Sequence, residues 1–497
     1  MFCHVQSAAF VGIEALAVHV EADVRRSEKL QLIIIGLPDS AVRESKDRVL
    51  SALQNSGMGL SNVQATINLA PGDLRKEGSL YDLPIALALL VANGKLKSID
   101  DYLCIGELSL SGHLRPLRGG LAVALLAKRL GKKGVIMPKE AAAAAAIVPG
   151  IALFGVSSLT EAVHFLNGQR QISPEKEISV LEKEGKPEVN FADVKGQAHV
   201  KRALEIAAAG GHNVLLYGPP GSGKSLLAKA LCGILPEMTL EEALEISQIH
   251  SFSKGESGGG NIVNQRPFRS PHHSTSFVGL IGGGSHPKPG EITLAHRGVL
   301  FLDELPEFSR VTLESLRQPL EDGRVSIVRA AGKLSFPCRA LLIAAMNPCP
   351  CGYLGHPTKA CSDTALQTAR YRSKISGPML DRFDMHIEVP AQKMEKLLAD
   401  EQSECSSTIR QRVSKARKVQ LARSGKSNSE LQPAALKEVC AITRSSKELL
   451  EQASAQMNLS ARAIHRIIKV GRTIADLEGS KDITDEHLME ALTYRQL

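Results

Sequence analysis

Apolar positions along this chain follow two alternating patterns. Short continuous runs bounded by Gly, Pro or polar residues suit strands inside a sheet, and stretches with apolar residues three or four apart suit helices packed on one face. The run QLIIIG at 31–36 is of the first kind and predicts a buried strand. Residues 41–55 are of the second kind, with Val42, Val49, Leu50 and Leu53 on one stripe. The alternation continues to about residue 167, so 1–167 reads as an α/β domain. It stops over 168–190, where ISPEKEISVLEKEGKPEVN offers little that can pack and predicts a linker. A second α/β pattern fills 191–390, and Ala, Leu, Lys, Arg and Glu at helical spacing fill 391–497 as a small all-α domain.

Composition narrows the class without naming a partner. With 43% hydrophobic and 23% charged residues among 497, the chain can build ordinary globular cores, which excludes a mostly disordered protein. Its 60 Lys and Arg against 52 Asp and Glu leave a net charge of +8, too thinly spread to identify a polyanionic partner. The longest uncharged stretch, 141–160, is Ala-rich and interrupted by Pro149 and Gly150, which makes it a poor membrane span. At the N-terminus no basic segment precedes an apolar core. A cytoplasmic location with no membrane partner is therefore expected. Nine cysteines, scattered apart from Cys349 and Cys351, suit reduced thiols better than a disulfide framework.

Chemistry enters at 213–232. An apolar strand over 213–216 runs into Gly218-Pro219-Pro220-Gly221-Ser222-Gly223-Lys224-Ser225, and a helix follows over 226–232. Glycines there let the backbone wrap around phosphates and aim its N–H groups and the helix N-terminus at the anion. In such a loop Lys224 reaches the β- and γ-phosphates and Ser225 offers its hydroxyl to Mg²⁺, so ATP with Mg²⁺ is the expected ligand. Downstream, GVLFLDE at 298–304 is too apolar for an edge strand and ends in two carboxylates. Burial of that strand would leave them at the C-terminal edge of a parallel sheet. Asp303 would there share the Mg²⁺ shell with Ser225, and Glu304 would activate the attacking water as general base. A third apolar run, 340–346, ends at Asn347, whose amide would orient that water.

The order phosphate loop, Asp-Glu, strand-terminal Asn, then Arg resembles the AAA+ ATPases, which work as ring-shaped oligomers. The phrase SGPMLDRFD at 376–384 resembles the finger motif of their magnesium-chelatase branch, which implies that Arg382 completes a neighbouring subunit's site. Likewise LSARA at 459–463 looks like the sensor-2 motif, with Arg462 as the sensor and Arg466 as its support. RVSIVRAAGKLSFP at 324–337 reads as two short strands and resembles the hairpin inserted in this branch, with Arg329 and Lys333 near the tip. An earlier insert, about 251–298, is rich in Gly and Ser and contains RPFRSPHHSTSFV at 266–278. Loops this long in a domain are usually functional. In a ring such projections face the channel, where Arg266, Arg269, Arg329 and Lys333 would follow a phosphate backbone and Phe268 or Phe277 would stack on bases. The alternative is a solvated basic rim, with His272 and His273 as ordinary loop residues.

Taken together, GLPDSAVRES at 36–45, FRSPHH at 268–273, NPCPCG at 347–352 and RAIHR through RTIADL at 462–477 resemble the Mg-chelatase-like ATPases of the ComM/YifB family. Membership implies a hexameric DNA helicase that drives branch migration in homologous recombination and natural transformation, beside recombination proteins. It also implies that the C-terminal helices form an AAA+ lid. The same ATPase core would also suit an alternative reading, remodelling of a metal-insertion partner as in magnesium chelatase, which an attached Lon-like domain argues against. Residues 104–140 resemble the Lon protease domain, whose activity needs a serine activated by a lysine. Leu80 and Leu121 stand at the positions matching that pair, so the resemblance implies an inert Lon-like fold rather than a peptidase, although Ser79 is adjacent. Finally, Cys349, Cys351 and Cys361 with Asp363 have a spacing that could close a tetrahedral Zn²⁺ site, with His356 as another fourth ligand; free thiols in a loop are the other reading.

Overall fold

Period-two burial along Glu14–Arg26, with Val18, Val20, Ala22 and Val24 inside, makes this stretch a strand with one covered face. It pairs antiparallel with Phe2–Val11 within a seven-stranded sheet. The strand order is Gln31–Ile35, Val63–Ala70, Glu14–Arg26, Phe2–Val11, Tyr102–Cys104, Gly134–Pro138 and Ala152–Val156. The computed structural model describes residues 1–178, 188–253, 263–284, 288–329, 332–392 and 403–495. These form two units: Met1–Lys183 with Leu240–Asn264, and Glu184–Thr239 with Gln265–Leu497. The stretches 1–167, 168–190, 191–390 and 391–497 read from the sequence are a finer division, and it does not set 240–264 apart.

In the first unit the expectation of a buried strand at 31–36 is corrected. Gln31–Ile35 is an edge strand in which only Leu32 is buried, while Ile33 and Ile35 are 38% and 47% exposed. An uninterrupted apolar run does not reveal whether a strand has neighbours on both sides. Helix Ser40–Asn55 buries Val42, Val49 and Leu53 as its spacing predicts, and Asp39 Oδ1 accepts the Val42 N–H at 2.8 Å to cap the first turn. Asp82–Ala92 is apolar all round and lies in the core. The helix Leu240–Ser253 joins the same core through Ala243, sets Phe252 edge-on to Phe10 at 5.3 Å, and donates from Gln248 Nε2 to Ile13 O at 2.7 Å. The start of the expected linker is also anchored here: Glu175 N–H donates to Leu153 O and Ile178 N–H to Ala146 O, each at 2.9 Å. Residues 179–187 of that linker lie outside the described residues.

The second unit has a five-stranded, all-parallel sheet in the order Phe268–Arg269, Val299–Leu302, Leu341–Met346, Val214–Tyr217, Met385–Glu388. Val299–Leu302 and Leu341–Met346 are buried throughout, as expected of strands covered on both faces. Tyr217 pairs with Met346 and Leu302 with Ala344, so three strand ends share one edge and continue into Gly218, Asp303 and Asn347. Helix Ala198–Gly210 packs with Ser406–Ser424 and Ala461–Glu478. A buried polar network fastens these helices: Arg423 and Arg472 both hold Asp476, at 2.8 and 3.0 Å, and Thr473 bonds to Asn428 and His212. Arg324–Arg329 and Gly332–Pro337 form the expected antiparallel hairpin, rooted by buried Val325 and Phe336, with Val328 exposed. The side chains of Arg329 and Lys333 lie outside the described residues. Among the described residues no helix is long and apolar enough to cross a membrane.

Candidate functional site

The turn after Val214–Tyr217 is shaped by its glycines. Gly221 and Gly223 have φ of +75° and +89°, where a Cβ would be strained, and a Cβ on Gly218 would lie 2.1 Å from Val389 O. Helix Lys224–Leu231 starts directly from this turn. Gln197 Nε2 steadies the loop by donating to Ser222 O at 2.8 Å. The Ser222 hydroxyl is buried without a partner among the described residues. Lys224 folds back over the loop: its Nζ donates to Gly218 O at 2.8 Å, Pro219 O at 2.9 Å and Asn347 Oδ1 at 3.3 Å. Burial pushes the proton affinity of this lysine down, and Asp303 opposes the shift.

Beside it, Ser225 Oγ donates to Asp303 Oδ2 at 2.8 Å, and Asp303 Oδ1 accepts the Glu304 N–H at 2.9 Å. Glu304 sits in the left-handed region, at φ 50° and ψ 48°, which few non-glycine residues adopt. That conformation leaves its carboxylate 58% exposed, 3.2 Å from His273 Nδ1. A lysine bonded to its own loop, an orphaned buried hydroxyl and a Ser–Asp pair fit a polyphosphate bound with Mg²⁺. The structure thus brings Lys224, Ser225, Asp303, Glu304 and Asn347 together, and adds His273 and Gln197. The sequence suggested only an ordinary loop residue at His273. Its signal was the paired His272-His273 within an insert that returns to the strand edge.

The arginines form a separate group. Arg382 is almost wholly buried, with one guanidinium nitrogen 2.6 Å from Glu321 Oε1 and Nε donating to Arg317 O at 3.4 Å. Burial lowers its proton affinity, with Glu321 opposing and Arg466, Arg462 and Arg317 adding to the shift. Arg466 lies 3.4 Å from Asp384 Oδ1 and donates to Phe383 O at 3.2 Å, while Arg462 is exposed. Among the described residues no hydrogen bond or ion pair joins Arg382 or Arg462 to Lys224, Asp303, Glu304 or Asn347. Glu321, the acid that holds Arg382, carried no signal in the sequence.

Three residues expected to line a channel have partners inside the unit. Arg266 donates to Pro236 O and Arg297 O, both at 2.7 Å, and to Glu237 O at 3.2 Å. Arg269 makes a two-pronged pair with Glu291 at 2.6 and 2.8 Å. Phe268 stacks on Phe301 at 5.9 Å. Backbone carbonyls, a carboxylate and a core ring thus engage these three within the chain itself. Phe277 is exposed.

In the first unit Leu80 and Leu121 belong to the hydrophobic core. Ser79 donates to the Glu107 carboxylate, and buried Lys76 donates to Pro71 O, so this hydroxyl and this amine have different partners. Burial pushes the Lys76 ammonium below its usual range.

Comparison with known proteins matches three stretches of the chain. The family described as magnesium chelatase, subunit ChlI, matches residues 190–397, its C-terminal family matches 403–495, and the family described as subunit ChlI of Mg-chelatase matches 20–141. Competence protein ComM of Haemophilus influenzae is 44% identical over 500 residues, covering 99% of this chain and 97% of the relative. Uncharacterized protein YifB of Escherichia coli is 42% identical over 498 residues with the same coverage. Local likeness extends to Lon protease 2 of Bacillus subtilis, 28% identical over 27% of this chain and 26% of the relative. It also extends to the Holliday junction branch migration complex subunit RuvB of a Synechococcus strain, 27% identical over 44% of this chain and 49% of the relative. With end-to-end identity at that level and both ATPase-associated families matched, the chain belongs to the ComM/YifB family of magnesium-chelatase-like AAA+ ATPases.

Proposed function

We propose that this protein is a cytoplasmic ATP-driven DNA translocase that acts as a ring of six copies and moves DNA branch points during recombination of incoming DNA. The observation that carries the ATPase part is the Ser225–Asp303 pair beside Lys224 and Asn347 at one sheet edge. Lys224 exchanges its loop carbonyls for phosphate oxygens as the nucleotide enters, and the amides after Gly221 and Gly223 cradle the chain. Ser225 and Asp303 would hold Mg²⁺, which would offset phosphate charge there. Glu304 takes the proton of the attacking water, positioned with Asn347, once its carboxylate leaves His273. Arg382 leaves Glu321 to face the γ-phosphate of an adjacent copy, and Arg462 senses the same group from the helical lid.

The DNA part is supported by the relatives. One is named a competence protein, and RuvB is named for branch migration at Holliday junctions. Residues 1–167 serve as an inert Lon-like domain, 191–390 as the ATPase core and 391–497 as the lid. Arg329 and Lys333 at the hairpin tip remain the proposed DNA contacts. A second reading, a remodelling ATPase acting on a metal-insertion partner, is favoured by the magnesium-chelatase matches at 190–397 and 403–495.

ATP hydrolysis measured with and without forked DNA, from about 50 to 200 mM salt, separates the two. DNA translocation requires stimulation that fades as salt rises, together with strand displacement. Turnover indifferent to DNA at every salt concentration overturns it.

A further inference from the structure

Beyond Asn347 the chain folds into a tight knot of sulfur. Cys349 Sγ lies 3.4 Å from Cys351 Sγ and 3.6 Å from Cys361 Sγ, and Cys351 and Cys361 are 3.5 Å apart. These distances are far beyond a disulfide's roughly 2.05 Å. They lie close to the edge of a tetrahedron drawn around zinc, about 3.8 Å when each Zn–S bond is about 2.3 Å. Asp363 fills the fourth corner. Its Oδ2 is 3.9 Å from Cys361 Sγ and is oriented by the Cys351 N–H at 2.7 Å, and the four ligand atoms all lie within 4.8 Å of one another. His356, the other candidate, is directed elsewhere: its Nδ1 accepts the N–H groups of Thr358 and Lys359 at 3.2 and 3.1 Å. Three thiolates beside a carboxylate repel one another unless a cation offsets their charge.

The same loop abuts the nucleotide site. Gly352 has φ of +83°, and a Cβ there would lie 2.7 Å from Pro220 Cδ of the phosphate loop and 3.8 Å from Asn347 Cγ. Asn347 in turn accepts from Lys224. Arg372 Nε donates to Pro348 O at 3.4 Å and closes the loop from its other side.

We infer that Cys349, Cys351, Cys361 and Asp363 bind one thiophilic divalent cation of the zinc class, and that the filled site braces Gly352 and Asn347 against the phosphate loop. The bracing half rests on the nucleotide reading above, whereas the metal half does not.

The full-length protein, purified under reducing conditions, is assayed for metal by inductively coupled plasma mass spectrometry. It is also titrated with Co²⁺ for thiolate-to-metal charge-transfer absorption, and with a fluorescent ATP analogue for affinity. Expected are about one zinc per chain, a cobalt–thiolate spectrum, and loss of both in Cys361→Ser. Chelator removal of the metal from the wild type, which needs no substitution, should weaken nucleotide binding about tenfold, the order of a modest coupling between two sites. Asp363→Cys should slow extraction by the chelator. Metal-free reduced protein with no cobalt–thiolate band overturns the site, as does a Cys349–Cys351 disulfide as the resting state. Zinc present but nucleotide affinity unchanged on its removal overturns the bracing. Zinc present in a wild type that binds no nucleotide overturns the nucleotide reading and the bracing, and leaves the metal site standing.

Discussion

At the edge of the parallel sheet in the second unit, Lys224 bonds to Asn347, Ser225 bonds to Asp303, and Glu304 projects into solvent. In the first unit, the two positions that the resemblance to Lon matches to a serine and a lysine hold Leu80 and Leu121, both inside the core. The two regions are built alike, from apolar strands and helices, and differ in which polar groups are left at their ends. Fold alone therefore does not predict chemistry, and the site residues must be read one by one. Local cost is present in both regions: Glu304 and Leu37 each sit in a left-handed backbone, and the hydroxyls of Ser222 and Tyr81 are each buried without a partner among the described residues.

The contrast can be broken most strongly at Glu304. Changing it to Gln should lower steady-state hydrolysis by roughly 10³-fold while the affinity for a fluorescent ATP analogue stays near wild type. Turnover within a few-fold of wild type would remove Glu304 from its role. In the first unit, Leu121→Lys should destabilise the fold by about 3 kcal/mol or more, because an unpaired ammonium would enter the core. Differential scanning calorimetry and peptidase assays together check this, and an undiminished melting temperature would show that the position is not core.

Acidification sharpens the comparison further. His386, on the central sheet of the ATPase unit, is buried, and burial with Arg495 and Arg466 nearby pushes it down to about 4. Above pH ~6.5 the ring is neutral folded and unfolded, so its titration does not affect stability; between about 6.5 and 4 only the unfolded chain takes up the proton. The wild type should therefore lose about 3 kcal/mol relative to His386→Leu as pH falls through that window. Urea unfolding at stepped pH measures the gap, and parallel curves for both proteins would refute it. The smallest effect belongs to Ser79→Ala, which should leave ATP hydrolysis unchanged. Detectable peptide cleavage by the wild type that disappears in this variant would restore a catalytic role to the first unit.

Local phrases made most of the nucleotide site legible. The phosphate loop, the Asp-Glu pair and Asn347 each follow a short apolar strand, and their roles depend on residues within a few positions of them. What stayed hidden depends on distant partners. Whether Arg266 and Arg269 face solvent is decided by carbonyls at Pro236 and Glu237 and by the Glu291 carboxylate, and no periodicity encodes that pairing. The same holds for His273 beside Glu304 and Glu321 beside Arg382. Gln31–Ile35 looked buried because an apolar run is alike at an edge and at a centre. The helix Leu240–Ser253 lies in sequence between the phosphate loop and Asp303, and nothing in its pattern announces that Ala243 completes the core of the first unit.

That helix has a practical consequence for genetics. Because the chain leaves the first unit, returns to it at Leu240 and departs again after Asn264, neither unit corresponds to an uninterrupted reading-frame segment. A deletion of the first 167 codons would strip Ala243 and Phe252 of the residues they pack against and leave a sticky helix on the remainder. Loss of activity in such a truncation would report the exposed helix as much as the missing domain, and a chimera between relatives would have to exchange both segments together.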